Sequence, residues 1–303
     1  MSSPEATPEA DRWTIGRLLN WTVDFFTQRG IESPRLDAEV LLAHARGCLR
    51  IMLYTAFDET ADEELRAKFR TLVQQRAAGK PVAYLVGKRE FYSLEFEVTP
   101  DVLIPRPETE LLVVALVDWA KERSTSELKS PLAIADVGTG SGILAICAAR
   151  YLPRCEVTAI DVSPAALEVA RRNAERHQVA EQITWFESDL FAGLPAEATF
   201  DAIVSNPPYI TSGEMETLSP TVRDYEPRLA LEAGPTGTEV IERLLAQASQ
   251  HLRPEGLLLL EISPMIAERA ERLVDESPLE RLPTLNDLDD RPRVIQARQG
   301  RGV

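Results

Sequence analysis

The chain contains 303 residues, 44% of them hydrophobic and 27% charged, and it carries a formal net charge of -15. This length allows a sizeable core and more than one domain, and the composition is that of an ordinary globular protein. An acidic balance argues against tight binding to nucleic acid, which needs a basic surface, and no apolar run is long enough to cross a bilayer. We therefore expect no direct nucleic-acid partner and no membrane partner.

The cysteines bear on location and on metal binding. Cys48, Cys147 and Cys155 are odd in number and lack the spacing of metal ligands, so we expect reduced thiols, no metal site and a cytoplasmic location. Residues 1–10 are polar and acidic. They lack the apolar segment of a signal peptide and are predicted to be disordered.

Residues 11–80 are predicted to form a small helical domain. Thr14 precedes apolar residues at helical spacing and is a candidate N-cap, and Ser33-Pro34 opens a second helix. Further helical segments are predicted over residues 50–54 and 62–78.

Residues 81–106 are predicted to link this domain to a second domain over residues 107–303. The segment 82–104 shows partial alternation of apolar residues, with a turn signal at Gly87-Lys88, and this pattern favours an extended β-hairpin. The next residues, from Ile104 to Glu110, read I-P-R-P-E-T-E. Their prolines favour an extended chain, and their acidic residues favour the start of a helix.

From Leu132 onward, apolar strands alternate with helices. Strands are predicted at residues 132–137, 156–160, 183–187, 200–204 and 257–262, and helices at 143–151, 164–177 and 239–251. This order predicts an α/β fold with a doubly wound parallel sheet, which binds ligands at the carboxyl ends of its strands. The charged stretch 279–298 is predicted to close the sheet edge as an antiparallel hairpin.

A glycine-rich loop follows the first of these strands. Its residues are Gly138, Thr139, Gly140, Ser141 and Gly142. Glycines let the backbone approach a ligand closely, and the spacing differs from the G-x-G-x-x-G of dinucleotide-binding oxidoreductases. The loop alone therefore predicts a nucleotide-like ligand without identifying it.

Acidic residues follow the next two strands. Asp161 is placed to accept hydrogen bonds from ribose hydroxyls. As an alternative, it caps the following helix. Asp189 and Leu190 come after the third strand and are predicted to contact an adenine, through its exocyclic amine and its ring, with Phe191 as an alternative to Leu190 for the ring contact.

The motif Asn206-Pro207-Pro208-Tyr209 follows the fourth strand. The prolines end the strand and stiffen the residues before them, so the backbone carbonyls of Asn206 and Pro207 point in fixed directions. The side-chain amide of Asn206 adds one acceptor and a pair of donors. Tyr209 adds a flat aromatic face. Such a group is suited to a planar ligand that carries an NH2 group, although an ordinary strand-terminating turn is the alternative.

Together these motifs resemble class I methyltransferases with an N-P-P-Y motif. They resemble more closely one family, the N5-glutamine methyltransferases of peptide-chain release factors. The resemblance spans residues 14–262 and rests on Phe91-Tyr92, the I-P-R-P-E-T segment, the loop with Asp136, Asn206 to Ile210, and Tyr225-Glu226-Pro227. It implies a mostly parallel seven-stranded sheet, doubly wound, with a small N-terminal helical domain joined by a β-hairpin.

The resemblance also implies the chemistry. S-adenosylmethionine would be bound by the glycine loop, Asp161, Asp189, Leu190 and Asn206. The methyl acceptor would be the glutamine of a Gly-Gly-Gln loop in a class 1 release factor, docked by the helical domain of a monomeric enzyme. Asn206 and Pro207 would each accept one N–H of the glutamine amide, Pro208 would line the same site, and Tyr209 would pack on the amide plane.

Three other interpretations remain open at this point. They are an N-methyltransferase acting on adenine or guanine of nucleic acid, a nicotinamide-dependent oxidoreductase, and a binding module without catalysis. The sequence also departs from the family after the fifth strand, where it reads Glu261-Ile262-Ser263 in place of Glu-Ile-Gly. We expect the C-terminal region to lie far from the transferred methyl group.

Overall fold

The computed structural model describes residues 12–123, 130–152 and 154–301. The predicted disordered stretch 1–10 lies outside these residues. The chain divides into two compact units, Met1–Gly87 and Lys88–Val303. In the described part of the chain, no helix combines the length and the apolar character needed to span a bilayer. The same residues bring no three His, Cys, Asp or Glu side chains together in a group that could hold a metal ion.

The first unit is helical. Its helices are α1 Ile15–Thr27, α2 Pro34–Arg46, α3 Met52–Thr55, α4 Glu63–Ala77 and α5 Val82–Val86. Thr14 caps α1 by accepting a hydrogen bond from the Arg17 N–H, and Asp62 caps α4 in the same way from Leu65. The apolar faces of these helices meet in one core.

The prediction of an extended chain from Val82 was wrong for the first five residues. Val82–Val86 form a helix that begins after Pro81 and ends at Gly87, whose φ of 73° is left-handed. Leu85 is buried in the core of the first unit, with Val82 and Val86 packed against it. Burial on one helical face therefore overrides the strand preference of the valines.

The second unit begins with the predicted hairpin, β1 Lys88–Phe91 and β2 Leu94–Glu97, which pair antiparallel. The turn lies at Tyr92 and Ser93, with φ of 48° and 60°, and not at Gly87-Lys88 as predicted. Two left-handed residues between the strands match the twist of a hairpin. Phe91 and Phe96 bury their rings in the core below it.

The central sheet is mixed. Its strands are β3 Leu132–Val137, β4 Cys155–Asp161, β5 Ile183–Glu187, β6 Phe200–Ser205, β9 Leu252–Glu261, β10 Glu280–Arg281, β11 Leu285–Asn286 and β12 Pro292–Arg298, while β7 Ile210–Thr211 and β8 Glu232–Gly234 pair separately. The order is β10-β12-β9-β6-β3-β4-β5, and β11 also pairs with β12. The β9, β6, β3, β4 and β5 strands are parallel, and β12 is antiparallel. The predicted mostly parallel, doubly wound sheet with an antiparallel edge is confirmed, but it has eight strands and not the predicted seven.

Helices cover both faces of the sheet. They are α6 Glu110–Glu122, α7 Ile143–Tyr151, α8 Pro164–Arg176, α9 Pro220–Arg223, α10 Glu239–His251 and α11 Ala267–Asp275. Ala202 and Val204 of β6 enter the core shared with α6 and α7, whereas Ile203 between them enters the core shared with α10 and α11. Side chains alternate across a strand, so both faces are buried and the fold is doubly wound.

The strand register brings the candidate residues to one edge. Val137 of β3 lies beside Ile160 of β4 on one side and beside Ser205 of β6 on the other, and Ser205 lies beside Leu260 of β9. The chain continues from β3 to β4 and β5 on one side, then returns to β6 on the other. This reversal is the switch point at which doubly wound folds bind ligands.

Candidate active site

The glycine loop leaves β3 in a backbone conformation that L side chains rarely adopt. Gly138 and Gly140 have φ of 74° and 56°, and a Cβ added to either would meet no heavy atom within 4 Å. Glycine is therefore required by backbone angle and not by crowding, and the space above the loop is open. Gly142 differs, because its added Cβ would lie 3.0 Å from Ile146 Cδ1 and 3.1 Å from Ala170 Cβ.

The buried carboxylate of Asp136 and the half-buried carboxylate of Asp161 shape this loop. Asp136 Oδ2 accepts from the Thr139 hydroxyl at 2.6 Å and from the Ala145 N–H at 2.9 Å. Asp161 Oδ2 accepts from the Gly140 N–H at 2.8 Å, and its Oδ1 accepts from the Ser163 N–H at 2.9 Å. The loop is therefore tied on both sides to the ends of β3 and β4.

Burial governs the charge of both groups. It raises the pKa of Asp136 to about 7 despite the two hydrogen bonds. Burial also raises the pKa of Asp161, against backbone hydrogen bonds that lower it. The helix after Asp161 is capped by Ser163, which accepts from the Ala166 N–H, so the cap interpretation of Asp161 is wrong.

The segment after β5 presents one charged and one apolar side chain to the cleft. Asp189 Oδ2 accepts from Arg243 at 2.6 Å, and its side chain is 56% exposed. Leu190 is buried with a left-handed φ of 52°. Phe191, the alternative apolar contact, stacks instead on the His251 ring at 4.6 Å between centroids.

The Asn206 motif ends β6 at the centre of the sheet edge. The Asn206 side-chain NH2 donates to the Thr109 hydroxyl at 3.2 Å, and Pro207 is buried. Tyr209 packs against the core shared with α10 and α11, and burial raises its pKa to about 12. The Tyr209 carbonyl lies 2.8 Å from the position that a Gly237 Cβ would occupy, so Gly237 allows the return chain to pass close behind the motif.

One cavity of about 240 Å³ unites these groups. That volume is several times the share of one water molecule, about 30 Å³, so the cleft accommodates an organic ligand. Every predicted site residue lines it except Gly142 and Tyr209. Gly142 supports helix packing behind the loop, and Tyr209 packs on the apolar core, so neither contributes to the cavity wall.

Sequence reasoning missed two buried glutamates near the cleft. Glu226 Oε1 accepts from Arg106 at 2.6 Å and its Oε2 accepts from the Ile104 N–H at 3.2 Å. Glu261 ends β9, one position beyond the pairing of Ser205 with Leu260, and therefore lies beside Asn206. The strand-end position of Glu261 was the signal that could have found it.

The C-terminal region reaches residues next to the Asn206 motif, but none of its described residues lines the cavity, so its expected distance from the transferred methyl group stays a prediction. Arg293 of β12 is 3.9 Å from Glu108, and its charge affects the pKa of both Tyr209 and Glu261. Antiparallel pairing of β12 with β9 brings it there, because Val294 pairs with Glu261.

The charges of the cavity suit a cation. Four acidic side chains line it, Asp101, Asp161, Asp189 and Glu232, against two arginines, Arg106 and Arg243. Arg106 pairs with Glu226, and Arg243 pairs with Asp189. Glu232 pairs with Arg228, so Asp101 and Asp161 are the lining carboxylates without an ion pair among the described residues. S-adenosylmethionine carries a sulfonium and an ammonium group, and the open backbone over Gly138 and Gly140 leaves room for it. The residues present therefore fit this cofactor.

The chain is similar to known proteins along most of its length. Residues 17–87 match the family described as PrmC N-terminal domain, and residues 115–221 match the methyltransferase small domain. A release factor glutamine methyltransferase of Rhodopirellula baltica is 50% identical over 93% of this chain and 95% of its own length. One from Geobacter sulfurreducens is 38% identical over 97% of this chain and all of its own length.

Solved structures share the fold. A methyltransferase from Pyrococcus furiosus has a TM-score of 0.50 at 21% identity and covers 75% of this chain and 97% of its own. A Thermus thermophilus 16S rRNA N2 G1207 methyltransferase, in complex with AdoMet and guanosine, has a TM-score of 0.51 at 23% identity over 70% of this chain and 49% of its own. At these identities the likeness shows the fold alone.

Fold, cleft and similarity define a class I S-adenosylmethionine-dependent methyltransferase. Within that class, the chain belongs to the release factor glutamine methyltransferase family. The resemblance read from the sequence is therefore confirmed at the level of the family.

Proposed function

We propose that this enzyme transfers a methyl group from S-adenosylmethionine to the side-chain amide nitrogen (N5) of the glutamine in the Gly-Gly-Gln loop of a class 1 release factor. The observation that carries the proposal is the presence of Asn206 and Pro207 in the same cavity as the glycine loop and Asp161. The names of the curated relatives support the choice of acceptor.

The cofactor half of the cleft consists of the loop and the acidic residues beside it. Gly138 and Gly140 admit the ligand close to the backbone, Asp161 accepts from the ribose, and Asp189 with Leu190 flanks the adenine. Bound there, S-adenosylmethionine supplies an electrophilic methyl group. Asp189 is paired with Arg243, so the Asp161 carboxylate is the charge of this half that favours the positive cofactor.

The acceptor half consists of the Asn206 motif. An amide nitrogen is a poor nucleophile because its lone pair is delocalised, so it must be held in line and its NH2 group must meet acceptors as positive charge develops. The Asn206 side-chain oxygen and the Pro207 carbonyl each accept one N–H, with Pro208 beside them. We propose that Tyr209 reaches the amide plane only when substrate is bound. No general base is needed before transfer, because the product can release its proton afterwards.

The helical unit and the acidic charge of the protein bear on its partners. We propose that the enzyme works as a cytoplasmic monomer and that the helical unit docks the release factor. The acidic chain, with a net charge of -15, would steer a basic surface of the factor toward it. The acidic cavity disfavours a nucleic-acid phosphate near the cofactor.

Methylation of a purified release factor tests the proposal. The enzyme is incubated with isotope-labelled S-adenosylmethionine and either a class 1 release factor, DNA or RNA. We expect one methyl group on the loop glutamine, located by mass spectrometry, and none on a factor in which that glutamine is replaced. Label in adenine or guanine and none in the factor would refute the proposal and establish the nucleic-acid alternative.

A further inference from the structure

A chain of three side chains lies behind the acceptor half of the cleft. The Asn206 side-chain NH2 donates to the Thr109 hydroxyl oxygen at 3.2 Å. The strand register places Glu261 beside Asn206, and burial raises the pKa of the Glu261 carboxyl while hydrogen bonding by Thr109 and by Asn206 lowers it. Thr109 and Glu261 are almost entirely buried. Thr109 directly precedes α6 yet makes no capping bond to it, so its hydroxyl is available to this chain.

The chemistry of these groups decides which of them donates and which accepts in this series of side chains. An ionised carboxylate can only accept hydrogen bonds. The Thr109 hydroxyl must then donate its proton to Glu261, and the lone pair that remains accepts from the Asn206 NH2. The amide oxygen of Asn206 is left facing the cavity, where an acceptor is needed. A flipped amide would present an NH2 group to the NH2 of the substrate.

We propose that Glu261, acting through Thr109, is a positioning residue that fixes the Asn206 amide with its oxygen toward the cavity. The role in catalysis rests on the proposed function, whereas the orientation of Asn206 does not. A protonated or amide side chain at position 261 can donate to Thr109, which lets the whole chain reverse. Ionisation of Glu261 therefore selects the productive orientation.

The surroundings of Glu261 place this selection in the physiological pH range. Burial raises the pKa of Glu261 to about 7, with Glu108 raising it further, against hydrogen bonds from Thr109 and Asn206 and the charge of Arg293. Burial, with the charge of Glu261, raises the pKa of Tyr209 to about 12, so Tyr209 stays neutral in this range. Glu261 Oε2 has no hydrogen-bond partner among the residues that the structure describes, which leaves room for a proton.

Isosteric variants at position 109 test the series Asn206–Thr109–Glu261 through its effect on kcat. Thr109→Val removes the hydroxyl without changing the shape, and we expect kcat to fall about 100-fold, with KM for the release factor and Kd for S-adenosylmethionine changed less than about twofold. Thr109→Ser keeps the hydroxyl and should restore kcat to within about threefold of wild type. Thr22→Val is the matched control, because Thr22 is equally buried, in the helical unit, and its hydroxyl has no partner in the described residues. Wild-type kcat in Thr109→Val would overturn the proposal.

Glu261→Gln tests which way the hydrogen bonds of this series run. It also keeps the proposal testable if Thr109→Val does not fold. We expect kcat of the wild type to rise with pH through about 7, and Glu261→Gln to lose that dependence with kcat lowered about tenfold or more at pH 8. A pH profile of the variant that matches the wild type would contradict the proposal.

An NMR readout separates this proposal from the proposed function. The Asn206 side-chain NH2 signals, assigned by their absence in Asn206→Ala, should shift with pH near 7 in the wild type and stay constant in Glu261→Gln, with no substrate present. Signals that titrate in an enzyme that methylates no release factor would support the positioning role and refute the proposed function. An enzyme that methylates the factor but whose Asn206 signals ignore both pH and Glu261→Gln would overturn the positioning role alone.

Discussion

The two halves of the cleft hold their polar groups by different means. At the ends of β3 and β4, the carboxylate of Asp161 is fixed by two backbone N–H groups, from Gly140 and Ser163. At the ends of β6 and β9, Asn206 is held by the side chain of Thr109, whose hydroxyl also counteracts the burial that raises the pKa of Glu261. Backbone donors keep their direction whatever the charge state of their neighbours. The hydrogen bonds along a series of side chains can reverse their donor and acceptor roles when one of the side chains gains a proton.

This difference matches the demands on each half. Binding of S-adenosylmethionine requires a fixed cradle, which glycine angles and backbone N–H groups provide. Methyl transfer requires oxygens aimed at charge that develops only in the transition state. Variants on one side should therefore change affinity for the cofactor, and variants on the other should change turnover.

Asn206→Ala should have the largest effect. It removes the side-chain acceptor at the reacting nitrogen, and we expect kcat to fall about 10²–10³-fold while Kd for S-adenosylmethionine changes less than about twofold. Isothermal titration and single-turnover methylation measure the two quantities separately. Equal loss of binding and turnover would contradict the role assigned to Asn206 and the separation between the halves.

Asp161→Ala should act on the other side of the comparison. Loss of the carboxylate that holds Gly140, and that we propose accepts from the ribose, should weaken binding of S-adenosylmethionine about 10- to 100-fold. Asp201→Ala is the control, because Asp201 also accepts from a backbone N–H, that of Ala133, and lines no part of the cavity. Unchanged cofactor affinity in Asp161→Ala would refute the ribose role.

A smaller effect is expected at the ion pair of Arg106 and Glu226. Glu226 is buried and ties the segment after the Asn206 motif to the I-P-R-P-E-T segment, through Arg106 and the Ile104 N–H. We expect Arg106→Gln to raise KM for the release factor about tenfold with little change in kcat, because an unpaired buried carboxylate loosens the cavity wall.

The double variant sharpens this expectation. Arg106→Gln with Glu226→Gln removes both charges, so its KM should lie closer to that of the wild type than the sum of the single effects predicts. Additive effects in the cycle, measured as KM for the release factor, would show that the two side chains act independently.

Much of the fold was predictable because local signals agreed with the tertiary structure. The five strands predicted from Leu132 onward, with the loop and Asn206 at their ends, combine apolar runs with turn residues, and all five are present. The fifth begins at Leu252, five residues earlier than predicted, and the short strands β7 and β8 were not predicted. The helix over Val82–Val86 was missed because its preference is set by burial in the helical unit. Glu261 was missed because its role depends on lying beside Asn206, which strand register decides and local pattern does not.

The remaining prediction compares the two buried carboxyl groups, one in each half, through the pH dependence of stability. Burial raises the pKa of Asp136 and of Glu261 to about 7, from ordinary values of 3.8 and 4.5. A carboxyl group whose pKa is higher in the folded state costs stability as pH rises, because the unfolded chain ionises first. The cost is absent below the unfolded pKa and complete above the folded pKa, so it accumulates between about pH 4 and pH 7.

Removing either ionisation should flatten this dependence relative to the wild type. We expect Asp136→Asn to gain roughly 1–4 kcal/mol of unfolding free energy relative to the wild type between pH 4.5 and pH 7.5, measured by urea denaturation. Its Oδ1 has no hydrogen-bond partner in the described part of the chain, so the amide group breaks no bond there. Glu261→Gln should flatten the stability profile and the kcat profile, whereas Asp136→Asn should leave the pH dependence of kcat intact. A change in the kcat profile of Asp136→Asn would mean that the cofactor half also carries a protonation-dependent step, and the contrast between the two halves would no longer hold.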